Sequence, residues 1–253
     1  SSFSPQISIT PDSLSFAIDT TVSFEQSQTL TISNTGTAPL EVIISTDSSI
    51  VTDIDGNIYS TVQIGEQVWM GENLKVTHYR DGTAIPNLMA DGDWTSTLLG
   101  AYGVYNNNSS NEFDTYGSLY NWYAAAGGRN IAPAGWCVPT DAEWKELEIV
   151  LGMIQSEADA EGYRGTNEGS KLAGNADLWN SGALESESEF GSSGFTALPG
   201  GYRDHSDGHF GGMGDDAYFW SATEGGGAWD RRLYYLDSGI FRNDINEGYG
   251  CAI

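Results

Sequence analysis

The stretch GWCVPTDAEW, residues 135–144, gathers the groups best suited to covalent or acid–base chemistry: Cys137 as a nucleophile, and Glu143 as an acid or base. Each residue also has a structural reading. Thr140 stands at an N-cap position and Glu143 three residues on, the spacing of a capping box. Pro139 suits the position before a helix, and Trp136 and Trp144 are large apolar groups for a core. Cys137 has one partner of its own type, Cys251. Neither cysteine lies in a CxxC pair, so zinc is not expected. In an oxidising compartment the two can pair, and so long a closed loop is worth up to ~4–5 kcal/mol in the chain-entropy picture.

The other reactive types are less organised. His78, His205 and His209 offer only the HSDGH spacing, which reads as a solvated Gly-rich loop. No spacing singles out a glycosidase-like carboxylate pair. Oxygen-dense runs are the candidate calcium ligands: Asp53, Asp55 and Asn57 of DIDGN, Asp91 and Asp93 of DGD, and Asp114 at the end of NNNSSNEFD. DIDGN lacks the distal Glu of an EF-hand, and its Asp-Gly step is also a hairpin signal. Aromatic rings in loops are candidates for ligand contact, because flat rings stack on sugars: Trp94, Tyr105, Trp229 and Tyr234.

The chain that must hold these residues carries 35 acidic against 10 basic side chains, a net charge of -25. Such a surface repels nucleic acid and anionic lipid, so neither is expected as a partner. No apolar run is long enough for a membrane helix. With 32 Gly, the chain is rich in turns and short strands. A start at SSFSPQ, with no initiator Met, is what a secreted protein shows after leader removal. Residues 1–50 read as strands alternating Ser/Thr with Ile/Leu/Val, broken by the NTGTAPL turn. From residue 51 the pattern changes. DIDGNIYSTVQIGEQVWMGENLKV holds three short strands, residues 91–115 read as loop, YGSLYNWYAAAGG is a short helix, and TDAEWKELEIVLG is the strongest helix, with Trp144, Leu147 and Leu151 as its apolar stripe. After residue 190, FTALPGGYR, AYFWSATE, RRLYYLD and YGCAI read as short antiparallel strands. The expected class is α+β, with two helices and an all-β N-terminal segment.

Five ordered motifs carry a family resemblance: DGNIYSTVQIGEQVWMGENLKV, YGSLYNWYAA, GWCVPTDAEWKELE, GFTALPGGYR and FWSATE. Residues 51–253 resemble the Fibrobacter succinogenes major paralogous domain of secreted and surface proteins. GW-x-VPT-x-AEW also resembles the fold shared by formylglycine-generating enzymes and C-type lectins, so the resemblance implies a C-type-lectin-like domain. Residues 1–50 resemble the first half of an immunoglobulin-like sandwich, in ITPDSLSF and QTLTISNTGTAPLEV. The family usually has His where Cys137 stands, a Cys shortly before the Gly-Trp, and RCV near the end, where this chain has GCA. That shifted pattern implies a Cys137–Cys251 disulfide. The reactive cysteine pair of the formylglycine-generating enzymes is missing, and so are the EPN and QPD sugar motifs of lectins. Asp-Ser-Leu at 12–14 and Asp-Thr-Thr at 19–21 resemble O-glycosylation sites of Bacteroidetes, which would place sugar on Ser13 or Thr20.

The expectation is a secreted, non-catalytic cell-surface protein. Half a sandwich leaves an apolar face and open edges. Residues 1–50 are therefore expected to donate strands in self-association into a filament or surface layer. The other reading is a lectin-like adhesion module for glycan or protein, assisted by calcium.

Overall fold

The computed structural model describes residues 7–10, 31–34, 50–108 and 112–253. The chain divides into two compact units, Ser1–Asp47 and Ser48–Ile253. In the first unit, β1 (Ile7–Thr10) and β2 (Thr31–Asn34) pair antiparallel, Ile7 opposite Asn34. Ser13 and Thr20 lie outside the described residues.

The second unit mixes short helices and sheets, an α+β arrangement. It opens with β3 (Ile50–Thr52), β4 (Ile58–Ile64) and β5 (Gln67–Met70), an antiparallel sheet in that order. Gly65 in the two-residue β4–β5 turn has φ of 62° and sits where a Cβ would lie 2.8 Å from Val150 Cγ2, so both backbone sign and space call for glycine. A two-stranded ladder joins β6 (Tyr102–Gly103) to β7 (Leu119–Tyr120). The large sheet has six strands in the order β10-β9-β11-β12-β13-β8. These are β8 (Gly162–Arg164), β9 (Gly200–Arg203), β10 (Phe210–Met213), β11 (Asp216–Glu224), β12 (Ala228–Tyr234) and β13 (Asp237–Ile245).

Seven short helices fill the connections, including α1 (Asp91–Ser96), α2 (Glu112–Tyr116), α3 (Trp122–Ala125) and α4 (Asp141–Val150) among the described residues. The others are α5 (Gln155–Ala158), α6 (Glu168–Leu172) and α7 (Ala183–Ser186). Two helices were expected, and the stretch 91–115 was expected to be loop. The extra turns are four to six residues long, below the length at which an apolar stripe can be read. YGCAI forms isolated bridges with Tyr120, Arg203 and Phe219 and no full strand.

α4 is the element that matters most for position. Trp144 and Leu147 are buried against Phe195, Phe219, Leu233 and Ile240, with Leu151 packed at the margin. The same helix carries Asp141 and Glu148 inward. Arg164 of β8 grips Glu148 through two hydrogen bonds of 2.8 Å, and Arg231 of β12 adds a third. Arg242 of β13 grips Asp141 through two more of 2.8 Å, with Arg231 at 2.9 Å. Burial works against the Asp141 charge, but the Arg242 hydrogen bonds and the Arg231 charge outweigh it and hold its carboxyl well below the usual range. Surplus guanidinium N–H groups reach the carbonyls of Ala158 and Ala160. Every strand from β12 to β8 is thereby tied to one helix.

Candidate functional site

Between β5 and residues 135–139 lies a cleft of about 210 Å³. All four residues of β5 line it, facing Gly135, Trp136, Cys137 and Pro139, with Trp144, Phe195, Phe219 and the buried Asn73 beneath and Glu72 and Glu143 at the rim. The aromatic floor is a tilted cluster: Trp69 and Trp144 lie 5.0 Å apart at 46°, and Phe195 sits 5.7 Å from each. Trp69 and Trp136 are half-buried, whereas Trp144 is closed off. Trp136 was expected in the core; it is a wall of the cleft instead.

α4 supplies one rim through its N-terminus. Thr140 N–H and Oγ donate to Glu143 Oε2 at 2.7 and 2.8 Å, and Glu143 N–H donates back to Thr140 Oγ1 at 3.2 Å. The capping box read from the sequence is present, and it occupies the carboxylate that could have served as acid or base. Arg80 holds the other wall by donating to the carbonyls of Ala132, Pro133 and Trp136. Burial and the neighbouring Glu143 charge push the Cys137 thiol up, against the pull of Arg80, which disfavours its thiolate form.

The expected disulfide is not formed. Both cysteines are free, Cys137 exposed and Cys251 buried. Cys251 is fixed by reciprocal backbone bonds with Tyr120 at 2.8 and 3.0 Å, and it packs among Ala125, Trp220 and Ala228. Its place is set by the ladder to Tyr120, while Cys137 stands on the cleft wall.

The candidate calcium ligands are brought to separate places. Asp53 organises its own turn, accepting from the Asp55 and Asn57 N–H groups at 2.9 Å, from Asn57 Nδ2 at 2.8 Å and from the Tyr59 hydroxyl at 2.6 Å. Asp55 takes Thr77 N–H and His78 Nδ1. Asp91 and Asp93 lie in the first turn of α1, where Asp91 pairs with Arg203 at 3.2 Å, and Asp114 is exposed on α2. Among the described residues no three acidic, His or Cys side chains group as a metal site.

The aromatic candidates also separate. Trp94 is 1% exposed, beneath the Arg203 guanidinium at 4.5 Å, and so is a core ring and not the ligand contact expected of it. Tyr105 packs on Phe210 at 5.4 Å. Trp229 is capped by Arg242 at 3.6 Å, and Tyr234 lies between Tyr235 at 4.9 Å and Arg232 at 4.6 Å. The aromatic residues that do converge on a cleft, Trp69 and Trp136, escaped sequence reasoning. Trp69 sits in a short strand whose pattern says nothing about which edge is open.

One buried group stands apart. Asp230 on β12 is fully buried, and among the described residues its carboxylate has no ion pair and no side-chain hydrogen bond, only the backbone N–H groups of Asn243 and of Asp230 itself nearby. Burial pushes its pKa up to about 7, against the Arg231 charge.

Residues 62–253 match the model of the Fibrobacter succinogenes major domain family (Fib_succ_major), and the chain belongs to that family. No curated protein and no solved structure matches it.

Proposed function

We propose that the chain is a non-catalytic, secreted cell-surface module that binds a partner in the cleft between β5 and residues 135–139. The observation that carries this reading is an open apolar cleft whose reactive groups are engaged or disfavoured: Glu143 caps α4 and the thiolate form of Cys137 is disfavoured. Pockets of this kind, apolar with a few polar groups, are the usual ligand sites of small domains. The finer fold reading, a C-type-lectin-like domain after an immunoglobulin-like half-sandwich, rests on the motif resemblance and belongs to the same proposal.

Screening neutral oligosaccharides and end-blocked peptides by tryptophan fluorescence tests it. Trp136→Ala and Trp69→Ala are expected to weaken any binder at least tenfold while circular dichroism stays unchanged. Binders indifferent to both substitutions would remove the cleft from the account.

A second reading, self-association through the N-terminal unit, is favoured by the β1–β2 pair, whose Ile-Ser-Ile-Thr alternation suits strand addition. Light scattering of the chain with and without residues 1–47 tests that reading; equal masses would contradict it.

A further inference from the structure

The cleft has an unusual inventory of free polar groups. Its side chains are largely engaged. Trp69 Nε1 donates to Gln67 Oε1 at 3.1 Å and Trp144 Nε1 to the Trp220 carbonyl at 3.3 Å. The Gln67 amide reaches the Glu143 carbonyl and Glu146, and the Asn73 amide reaches the Tyr116 carbonyl at 2.8 Å. Glu72 accepts from Ser60. What remains open is backbone.

The register of the β4–β5 hairpin shows which backbone. Gln67 stands opposite Ile64 and Trp69 opposite Val62, and just beyond the strand the Gly71 N–H donates to the Ser60 carbonyl at 2.9 Å. Hydrogen-bonded pairs alternate along an antiparallel ladder, so residues 67, 69 and 71 bond to β4. The N–H and C=O of Val68 and Met70 therefore point away from β4. β5 is an edge strand, and among the described residues nothing pairs with its outer side. On the facing wall, the Cys137 peptide makes no hydrogen bond among the described residues. Natural edges are usually blunted by Lys, Pro or a bulge. This one reads QVWM, and Val68 is 53% exposed.

We propose that the open edge of β5 receives an extended polypeptide segment by strand addition, with apolar residues at alternate positions and Lys or Arg at its flanks. Free peptide groups at every second residue, about 7 Å apart, are what another strand's backbone matches. A sugar ring does not carry peptide groups at that regular spacing, whereas an extended strand matches it along the whole edge. Charge selects the flanks. Glu72 and Glu143 stand at the rim, and residues 48–253 carry 30 acidic side chains against 10 basic ones. A carboxylate-bearing segment is repelled and a basic one is drawn in. Four residues of β5 span about 13 Å, enough for a partner strand of similar length.

The inference rests on the cleft being a binding site, and the test separates the two. The full chain is titrated with end-blocked Lys-Val-Thr-Val-Thr-Lys, its Glu-flanked counterpart, a version with Pro for Thr, cellotetraose, and a peptide of residues 1–11. The Lys-flanked peptide is expected to bind, with the Glu and Pro versions at least tenfold weaker. Val68→Pro removes an outward N–H without touching the β4 ladder and is expected to cost tenfold or more. Equal binding of the Pro peptide, or an unaffected Val68→Pro chain of unchanged circular dichroism, would overturn strand addition. A residue 1–11 peptide that outcompetes the Lys peptide makes the occupant a second copy and overturns the basic partner. Cellotetraose binding that needs Trp136, with no peptide binding, overturns the inference and leaves the cleft. No binding by any probe removes both.

Discussion

The two sides of α4 are built on opposite terms. Inward, Asp141 and Glu148 are enclosed by Arg164, Arg231 and Arg242, and surplus N–H groups of Arg164 and Arg242 reach the carbonyls of Ala158 and Ala160, with Arg164 Nε the one guanidinium nitrogen of the three side chains left unpaired among the described residues. Outward, the helix N-terminus borders a cleft whose opposite edge leaves the Val68 and Met70 peptide groups unpaired among the described residues. Buried ion clusters hold together when every member is matched, and they fail when one is removed. An open strand edge contributes nothing to the fold and is available to a partner. The difference separates what shapes this molecule from what it can recognise.

The inward side breaks hardest. Glu148→Ala leaves two buried guanidiniums short of a carboxylate and is expected to cost about 3–5 kcal/mol, read by urea unfolding. Asp141 adds a pH signature. Its folded pKa is depressed, so its contribution is complete above the unfolded value of about 4 and is lost as pH falls further. Acid unfolding of the parent chain should therefore be steep below pH ~4, and Asp141→Asn should flatten it. Asp230 contrasts with that cluster, since among the described residues no side chain pairs with its buried carboxylate. Its raised pKa makes it a liability that grows from pH ~4 and levels off above about 7. Asp230→Asn is expected to gain about 1–3 kcal/mol at pH 8 and little at pH 4, in the same unfolding assay. At the border of the two sides, Thr140→Ala removes the N-cap for about 1 kcal/mol and loosens the cleft rim, visible as a lower Tm. Outward, Trp136→Ala is expected to change stability least and binding most.

How much of this was legible follows the same division. The capping box at Thr140 and Glu143, the stripe of Trp144 and Leu147, and the antiparallel β11–β12 pair late in the chain were written in local patterns, whereas β9 pairs with β11 in parallel, against the antiparallel expectation, because pairing direction is set by the long connection and not by the strand's own residues. α1 and α2 were missed because a five- or six-residue helix fixed by tertiary contact leaves no period to read. The cysteine pairing went wrong because it followed a family pattern that this chain had already departed from. Trp94 looked like a loop aromatic, yet Arg203, more than a hundred residues on, covers it. The five charged members of the cluster come from four elements, and nothing in the sequence marks them as one group. Nor does the sequence say that β5 is an edge, since edges are defined by what fails to pair.

Amide hydrogen exchange along β5, resolved by residue in the full chain, tests the central claim most directly. Trp69 N–H should be protected by the ladder to β4, while Val68 and Met70 exchange at near-solvent rates and slow at least tenfold when the Lys-flanked peptide is added. Protection of Val68 and Met70 in the free chain would contradict the account, because the edge would then already be covered.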